Sequence, residues 1–232
     1  MRNLFIAAFF GLLLVASCKQ EKKQDVPKIE AIYPSVIEIV SRDSVISANK
    51  PLEVCKKFEI PSTSVYSWKN HLIIYDVLPD SDSICDLLST DYPGDEIKCY
   101  DTPYYIFDRS NCENKETAEE WTHTIMTANL VADTVMQKEY MQYHATQSEN
   151  WPEIANGFCN ADFQQLLMFR NGRQLMLIIS IPKGENLDDL NPKTTENNPR
   201  VDEWNAIMAK YQEGIEGTQD NETWVILSPI KQ

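Results

Sequence analysis

The sequence has few of the residues that nucleic-acid or metal binding requires. Its 21 Lys and Arg are outnumbered by 35 Asp and Glu, which gives a formal net charge of −14. A nucleic-acid partner needs a basic face for its phosphates, so this balance argues against one. Only three histidines are present and no two cysteines form a C-x-x-C pair. A zinc site therefore has little support, and we predict no bound metal.

The sequence also has no apolar run long enough to span a bilayer. Its longest run, residues 4–16, is LFIAAFFGLLLVA and follows the single basic residue Arg2. About 13 residues are too few for a transmembrane helix, which needs about 20. The run instead has the length and flanks of a signal-peptide core, so we assign residues 1–17 to a signal peptide.

A lipid attachment site is predicted at Cys18. The preceding residues, Val15, Ala16 and Ser17, supply the aliphatic residue and two small residues of a lipobox. The alternative is an ordinary thiol at the end of a membrane anchor. Residues 18–32 are largely polar and charged and read as a lipidated tether. The sequence thus predicts a bacterial envelope lipoprotein held to a membrane, and Lys19 after the cysteine favours the outer membrane. The side that the protein faces is left open.

Disulfides are allowed in such an oxidising compartment, but their pairing is not readable. The cysteines that remain are Cys55, Cys85, Cys99, Cys112 and Cys159. Their number is odd, and Cys99 with Cys112 is the nearest pair in sequence.

The first half of the chain follows the order strand, helix, strand, strand, helix, strand. Alternating or β-rich stretches predict strands and the others predict helices. The strands are Pro34 to Arg42, Ser64 to Trp68, His71 to Leu78 and Tyr104 to Asp108; the helices are Pro51 to Phe58 and Ser81 to Ser89. Lys69 and Asn70 are placed to form a tight hairpin turn.

The second half repeats this order with longer elements. The strands are His123 to Leu130, Phe163 to Phe169, Gln174 to Ile181 and residues 223–229; the helices begin near Thr134 and at Val201. Asn171-Gly172 is a strong hairpin signal.

We therefore predict an α+β fold of two tandem ferredoxin-like units (βαββαβ) packed sheet to sheet as an internal pseudo-dimer. Residues 33–109 form the first unit, residues 110–122 a connector, and residues 123–232 the second unit. One irregular α+β domain is the alternative.

The first helix of the second half carries the candidate chemistry. Tyr140 and His144 are four residues apart, so their phenol and imidazole lie on one helix face where both can reach one small ligand. Trp151 falls on the same stripe, although Pro152 disfavours helical geometry there. From periodicity alone, a packed aromatic core is the more common explanation of such a stripe.

The second half, from about His123 to Pro229, resembles the L-rhamnose mutarotase family. The resemblance rests on Glu139-Tyr140 with His144 and on Trp151-Pro152-Glu153. It continues through the hairpin LLMFRNGRQLMLIISI and the stretch PRVDEWNAIMAKYQ. The order and spacing of these motifs follow the family across roughly a hundred residues.

The resemblance implies a dimer-forming ferredoxin-like fold and interconversion of the α and β anomers of a 6-deoxy hexose such as L-rhamnose, without metal or cofactor. It implies that His144 is the general acid and Tyr140 its binding or proton-relaying partner. Trp204 would lie against the apolar face of the sugar, and Trp151 could do the same or serve as a structural corner. The expected partner is a monosaccharide.

The chain departs from the family pattern in several places. The gap between His144 and Trp151 is longer, Trp204 is followed by Asn205 where a second tryptophan is common, and the family's second-strand tyrosine has no clear match. The first half has no Tyr-x-x-x-His and is predicted to be a degenerate copy that supplies the sheet partner. Further oligomerisation is left open.

Three smaller expectations concern residues outside these motifs. His71 is expected to be exposed at a hairpin turn, and His123 to be a surface residue. The segment 182–199 is either a lid or a disordered excursion.

Three functional hypotheses remain. The first is an envelope mutarotase, and the second is a non-catalytic lipoprotein of the same fold that binds a sugar or another envelope component. The third, a structural lipoprotein, would be favoured if Tyr140, His144 and Trp204 were buried together with no cavity between them.

Overall fold

The computed structural model describes residues 33–43 and 45–230. The signal peptide, the lipidation site at Cys18 and the tether predicted for residues 18–32 lie outside these ranges. Within them, no helix is long and apolar enough to cross a bilayer. No group of three or more His, Cys, Asp or Glu side chains in the same ranges gathers closely enough to hold a metal ion.

The first half contains four strands that pair with one another and two helices. These are β1 (Ser35–Val40), α1 (Asn49–Lys57), β2 (Val65–Trp68), β3 (His71–Asp76), α2 (Ser81–Asp91) and β4 (Glu96–Tyr100). Lys69 takes a positive φ of 51° in the hairpin turn between β2 and β3. Asp80 begins α2 as its N-cap, accepting a hydrogen bond from the backbone N–H of Ser83.

The second half has the same order with additional short helices. A connecting strand, β5 (Tyr105–Asp108), precedes it. Its elements are β6 (Trp121–Leu130), α3 (Thr134–Ala145), α4 (Gln147–Asn150), α5 (Pro152–Asn160), β7 (Gln165–Asn171), β8 (Gln174–Pro182), α6 (Leu187–Leu190), α7 (Pro199–Met208), β9 (Gln212–Glu213) and β10 (Val225–Pro229). The hairpin turn between β7 and β8 contains Gly172 at a positive φ of 59°, as the Asn-Gly signal requires.

All the strands pair antiparallel in one curled, ten-stranded sheet. Its order is β4-β1-β3-β2-β10-β6-β8-β7-β5, and β9 pairs with β6. The first half contributes β4-β1-β3-β2 and the second half β10-β6-β8-β7. If β5 and β9 are left out, both halves therefore place their fourth, first, third and second strands side by side in that order. The two halves meet where β2 pairs with β10, through Tyr66 opposite Pro229 and Ser67 opposite Ser228.

The predicted fourth strand of the first half was misplaced. The strand that pairs with β1 is β4 at Glu96–Tyr100, whereas Tyr105–Asp108 pairs with β7 of the second half. Tyr104 to Asp108 has high β propensity, but propensity does not say which sheet a strand joins. Pro103 interrupts the chain between β4 and β5, and a proline cannot donate to a ladder hydrogen bond.

Alternating residues of the strands divide the core into three clusters. On β1, Ile37 and Ile39 pack against the helices of the first half, whereas Val36 lies in a central cluster with residues of both halves. The central cluster consists of Val36, Tyr66, Ile73, Tyr75, Tyr100, Ile125, Leu167, Phe169, Met176, Ile178 and Leu227. The third cluster lies between the second-half sheet and its helices.

A buried carboxylate connects the two halves beside the central cluster. Glu38 is 0% exposed, and its side chain accepts hydrogen bonds from His71 Nδ1 at 2.7 Å, Tyr100 Oη at 2.9 Å and Gln174 Nε2 at 2.9 Å. Lys98 reaches the same network by donating to Gln174 Oε1 at 2.6 Å. Burial alone would raise the pKa of Glu38, but these hydrogen bonds and the nearby charges lower it below its ordinary value.

The expectation that His71 is exposed is wrong, whereas His123 is partly exposed. His71 is buried at 5% exposure because β3 begins at this residue and turns its ring inward onto Glu38. His123 is half-buried, with Nδ1 2.9 Å from Ser180 Oγ and its ring edge against Tyr75. His71 is the first residue of β3 and His123 the third of β6, and the sequence does not reveal which distant side chains contact them.

Two disulfides link the elements around the sheet. Cys85 on α2 is bonded to Cys99 on β4, and Cys112 in the connector is bonded to Cys159 on α5. Cys55 is a buried free thiol. The nearest pair in sequence, Cys99 and Cys112, is therefore not a bridge, because the chain crosses to the other half between them.

The segment from residue 182 to 199 is ordered. It contains α6 and a 3-10 helix, Asn191–Thr194, which packs against α5. The alternative of a disordered excursion is therefore wrong.

We predict that Glu38→Gln lowers the free energy of unfolding by about 1–3 kcal/mol at pH 7, because charge-assisted hydrogen bonds become neutral ones. A lowered carboxyl pKa contributes stability that is present above the ordinary value of 4.5 and is lost as pH falls through the folded-state pKa. The difference between variant and wild type should shrink in acid, as measured by urea unfolding at several pH values. Glu96→Gln, at an exposed side chain, is the control. A difference that is independent of pH would contradict the prediction.

Removing the Cys112–Cys159 bridge should destabilise the protein more than removing Cys85–Cys99. The bridges close sequence separations of 47 and 14 residues. The chain-entropy relation gives about 4 and about 3 kcal/mol for loops of these lengths. Thermal unfolding of the paired Cys→Ser variants tests the order, and equal losses or the reverse order would contradict it.

Candidate active site

A cavity of about 390 Å³ lies between the second-half sheet and its helices. This volume is within the range of about 300–1,000 Å³ that is typical of small-molecule sites. Tyr140, His144 and Trp204 all line it, although each is buried. The condition stated for a purely structural lipoprotein, burial of these three side chains without a cavity, is therefore not met.

Helix α3 supplies Tyr140 and His144. The helix begins at Asp133, whose carboxylate accepts hydrogen bonds from the backbone N–H groups of Val135 and Met136. From this start the four-residue spacing turns both rings toward the sheet, with their centroids 4.4 Å apart. The sequence spacing thus predicted the facing of this pair correctly.

The tautomer of His144 follows from its hydrogen bond. Its Nδ1 lies 3.0 Å from the backbone carbonyl oxygen of Tyr140. A carbonyl oxygen only accepts, so Nδ1 carries a proton and donates it. In the neutral ring Nε2 then holds the lone pair, and this nitrogen is the one that exchanges protons.

Burial keeps His144 neutral. Desolvation lowers its pKa to about 4, against an ordinary value of 6.5, and the Tyr140 carbonyl offsets only part of that effect. Aromatic rings surround the imidazole: the centroids of Trp204, Tyr105 and Tyr104 lie 5.2, 5.6 and 5.7 Å from it, each edge to face. At pH 7 His144 is a base with an available lone pair.

Tyr140 is held as a neutral phenol with its oxygen oriented by neighbours. Burial raises its pKa to about 12. Its oxygen lies 3.2 Å from Tyr104 Oη and 3.3 Å from Gln212 Nε2, both acting as donors. The side-chain oxygen of Gln212 accepts from Trp224 Nε1 at 3.1 Å, which sets the orientation of the amide. The Tyr140 proton therefore remains available to a ligand.

Trp204 and Trp151 have different positions. Trp204 lies on the buried stripe of α7, with Val201 and Met208, and faces the cavity. Trp151 is between α4 and α5, where Pro152 begins the new helix as expected. It packs on Trp204 at 5.5 Å and under the Arg200 guanidinium at 3.8 Å, but it does not line the cavity of His144.

Several lining residues were not anticipated from the sequence. The unanticipated polar lining residues are Tyr105, Gln147, Asn191, Asn205 and Gln212. Gln147 is three residues after His144, so helical spacing could have indicated it. Gln212 comes from β9, a two-residue strand that has no sequence signature. Asn191 belongs to the 182–199 segment, which thereby forms part of the cavity wall.

The cavity is uncharged. Its remaining lining residues are apolar: Met126, Phe158, Phe163, Leu166, Met168, Leu177, Ile179, Met208 and Trp224. None of the described lining residues is Asp, Glu, Lys or Arg, in a chain of net charge −14. The site therefore suits a small neutral ligand that has both hydroxyl groups and an apolar surface.

Comparisons with known proteins agree with this geometry. A family model described as L-rhamnose mutarotase matches residues 123–230. An L-fucose mutarotase from Xanthomonas campestris pv. campestris is 28% identical over 97 residues, which cover 41% of this chain and 75% of that protein. A UPF0734 protein of Dictyostelium discoideum is 27% identical over 107 residues, covering 44% of this chain and 79% of that protein.

The matched segment contains every lining residue of the cavity except Tyr105. It begins at the third residue of β6 and ends after β10, so it covers all but the first two residues of the second βαββαβ series. The second half of this chain is thus similar to the L-rhamnose mutarotase family over residues 123–230.

Proposed function

We propose that the cavity of the second half interconverts the α and β anomers of a 6-deoxy hexose. The observation that carries this proposal is the pair formed by neutral His144 and neutral Tyr140 in an uncharged cavity. Anomer exchange needs one group that takes a proton and one that gives a proton at neighbouring oxygens of the sugar. This pair provides both without a metal.

In the proposed reaction, His144 Nε2 accepts the proton of the anomeric hydroxyl. Tyr140 Oη donates its proton to the ring oxygen as the bond between the anomeric carbon and that oxygen breaks. The open-chain aldehyde then rotates about its bond to the second carbon and closes with the opposite configuration, returning both protons. The hydrogen bonds that Gln212 and Tyr104 donate to Tyr140 Oη would stabilise the charge that develops there.

This mechanism refines the role first expected for His144. A general acid must hold a proton at the start, but a pKa of about 4 leaves few imidazolium ions at neutral pH. We therefore propose that His144 acts as a general base when the ring opens and as a general acid when the ring closes. Tyr140 has the complementary roles.

Apolar contacts favour a 6-deoxy sugar over a fully hydroxylated one. Its methyl group has no hydroxyl to satisfy and can be buried against the aromatic and aliphatic wall of the cavity. We assign Trp204 to the apolar face of the ring, and Trp151 to support of Trp204 from behind. The matching family model and the Xanthomonas relative are described by L-rhamnose and L-fucose, which are both 6-deoxy hexoses.

We further propose that the two halves are tandem ferredoxin-like units joined as an internal pseudo-dimer. Their boundaries are residues 33–109 and 123–232, with 110–122 as connector. Two features support this: the strand order is the same in both halves, and a central cluster of buried residues is drawn from both. Neither α1 nor α2 of the first half contains a tyrosine or a histidine, so that half has no counterpart of the Tyr140–His144 pair, and we assign it the role of sheet partner.

The location we propose is the bacterial envelope, with a lipid on Cys18. The lipobox at residues 15–18 supports it, and so do the two disulfides, since such bonds persist in oxidising compartments. Anomer exchange there would act on the sugar before its uptake.

Saturation-transfer proton NMR with L-rhamnose, L-fucose and D-glucose tests the proposed reaction. We expect exchange between the anomers of a 6-deoxy sugar to be faster with the protein than without it. His144→Gln should reduce the catalysed rate by about 10²–10⁴-fold, the usual contribution of general acid–base catalysis. His123→Gln, at a histidine remote from the cavity, is the matched control. Binding without exchange, equal in wild type and His144→Gln, would instead indicate a sugar-binding protein.

The pH dependence of the rate distinguishes a basic from an acidic His144. If the neutral imidazole starts the reaction, kcat/KM stays constant from pH 7 to about 5 and falls only as the pKa of about 4 is approached. An essential imidazolium would make the rate increase as pH falls. A decline centred near 6.5 would contradict the lowered pKa.

A further inference from the structure

One wall of the cavity comes from outside the segment that matches the mutarotase family. Tyr105 lies on β5, eighteen residues before the match begins at residue 123. Its ring faces His144 edge to face with centroids 5.6 Å apart, and it lines the cavity. A phenol from outside the matched segment is therefore part of the cavity wall next to His144.

Both β5 and the connector that follows it are attached to the second half. β5 pairs with β7 over its whole length, with Tyr105 opposite Met168. The disulfide between Cys112 and Cys159 attaches the following loop to α5. Tyr105 is thus not on a free loop. The strand pairing of β5 with β7 holds it in place, and the disulfide fixes the loop that follows β5.

An ion pair between a buried arginine and a partly exposed aspartate adds a third attachment. The side chain of Arg109 is only 4% exposed, and its Nη1 lies 2.7 Å from Asp162 Oδ1. Its Nη2 donates to the backbone oxygen of Asn114 at 2.9 Å. An arginine that is buried and paired in this way positions the segment on both sides of it, including β5.

Tyr105 forms a polar pair with Gln147 at the cavity surface. Its hydroxyl donates to Gln147 Oε1, so the phenol oxygen keeps lone pairs that can accept a hydrogen bond. The Nε2 atom of Gln147 makes no hydrogen bond to the described residues, although the residue is only 3% exposed. Burial also raises the pKa of Tyr105, which keeps the phenol neutral.

The pair therefore presents one acceptor and one donor to the cavity. A sugar hydroxyl is both a donor and an acceptor, so a single hydroxyl, or two adjacent ones, can satisfy both groups. His144 and Tyr140 are occupied by the anomeric hydroxyl and ring oxygen in the proposed reaction. The Tyr105–Gln147 pair is then available for hydroxyls farther round the ring.

We propose that Tyr105 and Gln147 form the subsite that recognises a ring hydroxyl of the sugar, so that Tyr105, on β5 and outside the matched segment, is a specificity-determining residue. This inference rests on the proposed function, since it assigns a role within the same cavity. It makes one residue that precedes the matched segment part of the site.

The test compares wild type with Tyr105→Phe, which removes the phenol oxygen and retains the ring. A hydrogen bond contributes about 0.5–1.5 kcal/mol, which corresponds to a rise in KM of about 2- to 13-fold for the active sugar. We expect kcat to change by less than about 2-fold, because the reacting atoms are bound elsewhere. Tyr92→Phe, which also removes a hydrogen-bonded phenol oxygen but lies in the first half, is the control and should leave both constants unchanged.

Deoxy analogues separate recognition from a structural effect. Wild type should bind the analogue that lacks the recognised hydroxyl less tightly than the parent sugar, whereas Tyr105→Phe should lose much of this preference. An equal loss for every analogue, or a fall in kcat with KM unchanged, would overturn the proposal. Thermal unfolding of Tyr105→Phe checks that the fold is retained, and Gln147→Leu provides a second variant with the same expected loss of preference.

Dissociation constants from ligand-observed NMR distinguish failure of this inference from failure of the proposed function. If wild type binds the sugar without exchanging its anomers, the catalytic proposal fails, and the binding of the analogues still tests the subsite. If wild type exchanges anomers and Tyr105→Phe behaves as wild type with every analogue, the subsite proposal alone is wrong.

Discussion

Burial of the second face of each half-sheet is the constraint from which the rest of the structure follows. Helices cover one face of the strands in each half, and the opposite face carries a further set of apolar side chains, such as Ile73 and Ile178. Those side chains form the central cluster only because both halves contribute to it. The pairing of β2 with β10 and of β5 with β7 protects strand edges that would otherwise be open.

Glu38 makes this arrangement specific. Apolar contacts alone tolerate small shifts between the two halves of the sheet, whereas a carboxylate without solvent requires donors at defined positions. His71 and Tyr100 come from the first half, and Gln174 comes from the second. A displacement of one half relative to the other would leave a buried charge without partners, which is far more costly than a lost apolar contact.

The same dependence on neighbouring elements shapes the candidate active site. His144 owes its low pKa to the rings that exclude water from it, and these rings belong to β5, α3 and α7. The available lone pair on Nε2 is a consequence of helix geometry, because the carbonyl that accepts from Nδ1 lies one turn earlier. Desolvation and one backbone hydrogen bond thus set the protonation state of His144 on which the proposed reaction depends.

Local patterns in the sequence determined much of the fold and part of the site. The alternation of β1, the hairpin at Gly172 and the facing of Tyr140 and His144 depend on residues within a few positions of each other, so they were predictable. The disulfide partners, the inward turn of His71, the strand that β5 joins and the inclusion of Tyr105 and Gln212 in the cavity were decided by tertiary structure. Each of these depends on a contact between residues far apart in the chain, and the propensity of a short segment contains no information about which distant surface will cover it.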